Sequence, residues 1–562
     1  MTARTAALAL AVRVLVAVLT RSFFQPDEYF QSLEVAHHLV FGYGALTWEW
    51  VSARPIRSIV YPALNVPVYW ALKALRLDET ELLIVAPKVL HGCLAAGTDI
   101  YVRRLARNVL GERYVSTAFF LSLTSLFHIL ALSRSLSNSL ETTLTTAALS
   151  YYPWDMSPAP TRSQLRKLLV FAALACAVRV TSAITWALLF PPLLWRLRTR
   201  APALRAFALD TILTASTALL LIFALDSLYY HTPSLTPLSF LLANASPLSS
   251  FYGAAPPHYY LSQALPILAG PALPFVLHGA WRAARGAAGP RPRAVLCTVA
   301  ALASAYSLAP HKEWRFLHPA LPLLHVLAAP PLADLPRTRS RRRAAHAALL
   351  ALALVGGAYV ARGHAHAQAG ALRYLRGVPA AELASAGFLM PCHSTPGHAY
   401  LHRAALAERV WALGCEPPVA LGAEDASAYR DQTDVFYAAP LAYLLTRFPA
   451  AVDPRFPPSP YPSTPPGTPA ALADAGRWAH AWPSHLVFFG ALLEHAGVER
   501  LLRARGYGEV WRAGNGLEED QRRRGGVRVT PVFSKGENGW NEMCGREQCC
   551  EVLWIGGRKR WL

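Results

Sequence analysis

Eleven apolar runs recur along this chain, near residues 4–20, 82–101, 114–132, 138–152, 166–180, 182–195, 206–228, 260–280, 294–310, 316–333 and 345–361. Some fall short of the roughly 20 residues a membrane crossing needs, so their edges are loose. Their number and closeness still leave one economical reading. The expected fold is mainly α, a polytopic transmembrane helical bundle of about eleven spans. Composition agrees: 53% of the 562 residues are hydrophobic and 16% charged, against about 25% charged in soluble domains.

The net charge of +20 comes almost entirely from arginine. Those arginines fall in short clusters between apolar runs, which favours membrane lipid over nucleic acid as the partner. With a cytosolic N-terminus, the cytosolic connections are 102–113, 153–165, 196–205, 281–293 and 334–344, and each carries arginine. The opposite loop 229–259 has no Lys or Arg. This is the distribution the positive-inside rule demands. The run 4–20 carries Arg13 and no convincing cleavage site, so it reads as an uncleaved first span.

In this orientation the loop 21–81, the cluster His311-Lys312-Glu313-Trp314-Arg315 and everything after about residue 362 face the lumen. Charge at a membrane boundary is costly and usually functional. The first loop carries Asp27-Glu28, and the second cluster offers two cations, a carboxylate and an imidazole at headgroup depth. Two chemical clusters on one side point to a shared site for a lipid-linked substrate. Sugar transfer from a lipid phosphate requires a base for the acceptor hydroxyl, because the departing phosphate needs no protonation. Asp27 is assigned as that base, with Glu28 orienting it or the acceptor. Helix capping by Pro26-Asp27-Glu28 is the competing reading. His311, Lys312 and Arg315 suit phosphate, with Glu313 orienting the cations. Headgroup anchoring is the alternative there.

Further candidates for substrate contact are Arg134, Asn138 and Glu141 in a polar span, Arg179 at a lumenal span end, and the weaker His258. Cys392 and Cys415 share one late polar region and could pair in an oxidising lumen; free thiols remain the alternative. The eight cysteines show no spacing for a metal, and no nucleotide loop is present, so neither metal nor cofactor is expected. Asn244-Ala245-Ser246 is the only glycosylation sequon, followed by Pro247. Residues 1–361 form the membrane region, 362–530 a folded lumenal unit, and 531–562 a tail of different character.

Three stretches carry a resemblance. FFQPDEYFQSLEVAHHLVFGYGALTWEW (Phe23–Trp50), SRSLSNSLETTLTT (Ser133–Thr146) and HKEWRFLHPALPLL (His311–Leu324) resemble the dolichyl-phosphate-mannose-dependent mannosyltransferases of the GT-C type. FLMPCHSTP (Phe388–Pro396), Cys415-Glu416-Pro417 and Trp482-Pro483-Ser484-His485 are similar to the branch that extends the GPI anchor with its third mannose. The resemblance implies a GT-C bundle with a lumenal α/β domain in the endoplasmic reticulum membrane. It implies α1,2 transfer with inversion and without a metal, from dolichyl phosphate mannose to a GPI glycolipid intermediate. Asp27 and Glu28 fall on the family's acidic pair and His311, Lys312, Glu313 and Arg315 on its charged loop, while Trp48 and Glu49, within the first-loop stretch, are further candidates for substrate contact. The residue after Arg179 is usually proline in the family; here it is Val180. Related enzymes of the N-glycan precursor or the fourth GPI mannose, a polytopic lipid transporter and a noncatalytic scaffold are the alternatives.

Overall fold

The computed structural model describes residues 3–155, 159–246, 251, 253–335, 339–417, 429–459, 478–518 and 520–533. The sequon's Pro247, Arg337, most of the Pro-rich stretch 453–469, Cys549-Cys550 and the rest of the tail from 534 lie outside these residues. All eleven apolar runs coincide with helical segments. Among the described residues six of them are long and apolar enough, by length and composition, to cross a membrane: Leu82–Leu110, Val180–Leu197, Ala201–Tyr230, Tyr260–Ala284, Trp314–Ala333 and Ser340–Gly363. The rest are shorter or more polar. The first helix, α1 (Ala3–Leu19), has 17 residues, and the run 114–132 breaks between Val115–Leu123 and His128–Leu132.

The run 138–152 forms Ser137–Tyr151, whose sequence SNSLETTLTTAALSY is unusually polar, yet every residue except Leu144 is buried. Most of its hydroxyls are satisfied within the bundle, that of Thr145 being buried without a partner. Thr142 and Thr146 donate to carbonyls one turn back, at 2.7 and 2.6 Å, and Thr143 meets Thr98 of Leu82–Leu110 at 2.8 Å. Gly97 permits that approach, since a Cβ there would lie 2.8 Å from the Thr143 methyl. Small and hydroxylated residues packed this way hold helices together where lipid offers no hydrophobic drive. Nearby, Arg13 and Asp99 form a fully buried ion pair at 2.7 Å.

The chain beyond Gly363 builds an α/β unit on a five-stranded sheet. Its strands are β1 (Ala386–Leu389), β2 (Val410–Ala412), β3 (His485–Phe489), β4 (Trp511–Ala513) and β5 (Val527–Pro531), in the order β2-β1-β3-β5-β4. β1 runs parallel to β2 and β3, while β5 is antiparallel to β3 and β4. β1 and β3 are buried along their whole length, as strands covered on both faces must be. Alternation along β3 sorts the two faces. Leu486 and Phe488 join Phe436, Tyr443 and Trp482. Val487 and Phe489 join the helix His366–Gly377 and, from the first loop, Phe23, Tyr29, Phe30 and Ala36.

That second cluster packs the loop 21–81 against the sheet. Its helix Glu34–Phe41 buries Glu34, Val35, Ala36 and His37 in protein. The Glu34 carboxylate accepts from the amides of Ala399, at 2.6 Å, and Ala45, at 3.1 Å. Gly397 makes room for it, since a Cβ there would sit 2.7 Å from the carboxylate. Burial nevertheless pushes the Glu34 carboxyl up to about 7, against the bonds from Ala399 and Ala45. His37 contacts His402 ring to ring, Nε2 to Nδ1 at 2.8 Å.

Burial pushes several imidazoles here down: His37 and His480 to about 3, His398 and His485 to about 4. A group whose pKa is lower folded than unfolded supplies stability above its unfolded value and loses it on acidification. These four therefore begin to destabilise the fold below about pH 6.5, at about 2 kcal/mol each by pH 5. Glu34 and Asp431, raised by burial to about 7 and about 6, work the other way as the pH falls, but they are two groups against four. A lower melting temperature at pH 5 than at pH 7.5 is the expected result for the purified protein. An equal or higher one would contradict the assignment of these histidines as buried and neutral.

Candidate active site

Asp27 sits at the turn that opens the π-helical Tyr29–Leu33. The Pro26 carbonyl accepts the amides of Tyr29 and Phe30 at 2.9 Å, and Glu28, at the N-cap, makes no side-chain cap bond. Capping therefore does not occupy the Glu28 carboxylate. Instead the acidic pair divides. The Glu28 side chain, 5% exposed, pairs with Arg134 at 3.0 Å. Asp27, 19% exposed, accepts from Arg315 Nη1 at 2.6 Å.

Arg315 is thus the hub. Its Nε and Nη2 grip both oxygens of Glu313, at 2.6 and 2.7 Å, while Nη1 reaches 288 residues back in the chain to Asp27. The bidentate grip is the strong form of this contact. Burial acts to raise the Glu313 carboxyl, but Arg315 and His311 outweigh it and hold the group well below the usual range. His311 Nε2 lies 3.3 Å from Glu313 Oε1. Lys312 is buried, with Nζ on the carbonyls of Ala255 at 2.8 Å and Pro310 at 3.4 Å. The charged loop therefore reaches Asp27 through Arg315, whereas Lys312 is spent on backbone carbonyls.

Asn138, Glu141 and Arg179 adjoin this hub. Asn138 Nδ2 donates to the Arg315 carbonyl at 3.4 Å. Arg179 donates to Ser137 Oγ at 3.0 Å and Asn138 Oδ1 at 3.4 Å, and pairs with Glu141 at 3.2 Å. Arg179 itself is extended and Val180 opens a 3-10 turn, so the missing proline leaves a local bend in place. Glu49 pairs with Arg57 at 2.7 Å and accepts from Gln31 at 3.1 Å; Trp48 is buried beside it in the chain.

Two expected residues are not brought in. Arg134 is 4% exposed and engaged by Ser22, Glu28 and the Leu130 carbonyl. His258 is exposed, in the turn before Tyr260–Ala264, and is turned to Ser262 of that segment at 2.8 Å. Asn244 is exposed, with its amide on the Phe240 carbonyl.

Arg57 and His393 escaped the sequence reading. Burial disfavours the Arg57 charge, yet Glu49 and Asp27 together hold its pKa above the ordinary value. His393 meets the Phe30 ring at a tilt, with centroids 4.5 Å apart, and burial drives it down to about 4 although Asp27 acts against this. Both come from loops without periodicity, so only a charge-by-charge search of the first loop could have found Arg57. His393 stands beside Cys392, which is disulfide-bonded to Cys415; the bridge holds its loop. The fold also gathers two groups that no sequence spacing announced. One is Asp78, Glu79 and His402, the other Cys392, His393 and Cys415, whose sulfurs are bonded to each other.

A sequence profile of the Alg9-like mannosyltransferase family matches residues 5–402. The chain belongs to this family. GPI mannosyltransferase 3 of Yarrowia lipolytica is 36% identical to this mannosyltransferase over 487 residues, covering 86% of this chain and 87% of its own. GPI alpha-1,2-mannosyltransferase 3 of Homo sapiens is 34% identical over 443 residues, covering 78% and 76%. Among solved structures, ArnT from Cupriavidus metallidurans bound to undecaprenyl phosphate superposes with a TM-score of 0.55 at 12% identity, over 94% of this chain and 98% of its own. At that identity the likeness speaks for the fold alone.

Proposed function

We propose that this mannosyltransferase adds the third mannose, in α1,2 linkage, to the GPI-anchor precursor in the endoplasmic reticulum membrane. The activity for which its relatives are named supports the reaction and the acceptor. The donor is dolichyl phosphate mannose, and no metal takes part. About eleven crossings, with a cytosolic N-terminus, place the site in the lumen. The arginine-bearing connections support this, because they lie at span ends opposite to Asp27 and Arg315.

One observation carries the mechanism: a partly exposed carboxylate, Asp27, is fixed by a buried guanidinium that is itself held by a second carboxylate. Asp27 takes the proton of the acceptor hydroxyl. The acceptor oxygen bonds to mannose C1 while the C1–O bond to phosphate breaks on the opposite face, and dolichyl phosphate leaves with the electron pair. Its exposure favours Asp27 over the sealed Glu28 as base. Because Arg315 is shared with two carboxylates and Lys312 is spent, Arg57 and Arg179 join Arg315 as the cations that meet the donor phosphate.

The reaction is tested in membranes from cells lacking their own third GPI mannosyltransferase, given dolichyl phosphate mannose and the two-mannose intermediate. A three-mannose product is expected. Transfer to a different acceptor only, or none, would move the protein to a sibling reaction or out of catalysis.

A further inference from the structure

A second cationic site lies outside the Asp27–Arg315 hub. A cavity of about 200 Å³ is lined by Arg21, Lys88, Arg362, His366, Arg373 and Tyr400 with two small helix residues. Three of the cations come from the same end of three membrane helices: Arg21 just after Ala3–Leu19, Lys88 in the second turn of Leu82–Leu110, and Arg362 at the close of Ser340–Gly363. The α/β unit closes it from above through His366 and Arg373 of one helix and the buried Tyr400. The backbone locks this junction, the amides of Arg21 and Ser22 both donating to the Ala361 carbonyl, at 2.7 and 3.0 Å.

The charge there is only partly compensated, Glu28 acting on Lys88 from beyond ion-pair distance. Among the described residues no carboxylate pairs with Arg21, Lys88 or Arg362. Lys88 uses one donor, on the Thr20 carbonyl at 2.6 Å. Arg373 alone has an acidic partner, Glu81 at 3.3 Å, on its exposed edge, and its Nε is buried with no acceptor. Four cations around one pocket cost repulsion that a bound anion removes. The pocket is smaller than the roughly 300–1,000 Å³ that encloses a drug-sized ligand. It therefore suits a phosphate group, and its place at the ends of three apolar helices suits one that belongs to a lipid.

We propose that this cavity binds the phosphodiester of a lipid headgroup, separately from the donor phosphate at Arg315. The occupant is either a resident anionic phospholipid or the phosphoinositol of the acceptor glycolipid itself; the second case rests on the function proposed above.

Full-length protein in phosphatidylcholine nanodiscs, with and without phosphatidylinositol, tests the site without activity, and inorganic phosphate is titrated in parallel. Phosphatidylinositol is expected to raise the melting temperature of the wild type and to leave that of an Arg21→Gln/Arg362→Gln variant unmoved; both side chains are exposed, so folding is spared. Arg373→Gln is the second variant. Stabilisation by inorganic phosphate alone would overturn the lipid reading, and equal responses of wild type and both variants would overturn the site. Steady-state kinetics then separate the occupants. An acceptor KM raised about tenfold in the variants, with the donor KM unchanged, assigns the acceptor's phosphoinositol. Unchanged KM values with lost lipid stabilisation assign a resident phospholipid. A raised donor KM would overturn the separation from the donor phosphate. If wild type transfers no mannose, the proposed function fails, while the lipid measurement still decides the site.

Discussion

Asp27→Asn is expected to lower mannose transfer by about 10²–10⁴-fold, the usual contribution of a positioned general base. The amide keeps the size of the side chain and an oxygen for Arg315, but cannot take a proton. Arg315 retains both bonds to Glu313, so the loop should stay in place and the melting temperature should move little. Glu28→Gln makes the contrast. It leaves Arg134 buried without its carboxylate, and removing one partner of a buried pair costs about 3–5 kcal/mol. The two variants are compared at equal protein level, for product and for thermal unfolding. Undiminished transfer by Asp27→Asn would remove it as base. Loss of folding in both variants would mean that the acidic pair is purely structural.

Substituting either Arg13 or Asp99 by leucine is expected to destabilise the protein by about 3–5 kcal/mol, because each would leave a bare charge inside the bundle. Arg13 donates to Asp99 through Nε at 2.7 Å and Nη2 at 2.8 Å, and through Nη2 to the Ser122 carbonyl at 2.7 Å. Ser122 Oγ returns to Asp99 at 2.7 Å. Both charged side chains are fully buried. The double leucine substitution should recover much of the loss, since apolar pairs often replace buried ion pairs at little cost. Denaturant unfolding in detergent micelles checks this. Single substitutions that unfold at the wild-type midpoint would show that water reaches the pair.

Arg13 illustrates what could be read and what could not. A cation inside the first apolar run was visible as an anomaly, but its partner lies 86 residues away, and no local pattern links them. The same holds at the active site. Asp27 and the loop 311–315 were each legible because charge beside an apolar run stands out. That Arg315, rather than Lys312 of the same loop, reaches Asp27 depends on which side chain the packed helices aim across the bundle. Arg134 shows the opposite case. As a cation opening a polar helix it resembled a ligand contact, yet packing turned it onto Ser22 and Glu28.

The order of residues along the chain was enough to set the membrane bundle, the positions of its helical runs, the family and the two charged clusters. Hydrophobic length and charge placement are local properties, and bilayer energetics act on them directly. Packing in three dimensions chose the partners: Asp27 with Arg315, Glu28 with Arg134, Glu34 with the amides of Ala399 and Ala45, and four cations around one pocket. Those contacts join residues distant in the chain, and a buried charge takes its role from whichever group the fold sets beside it.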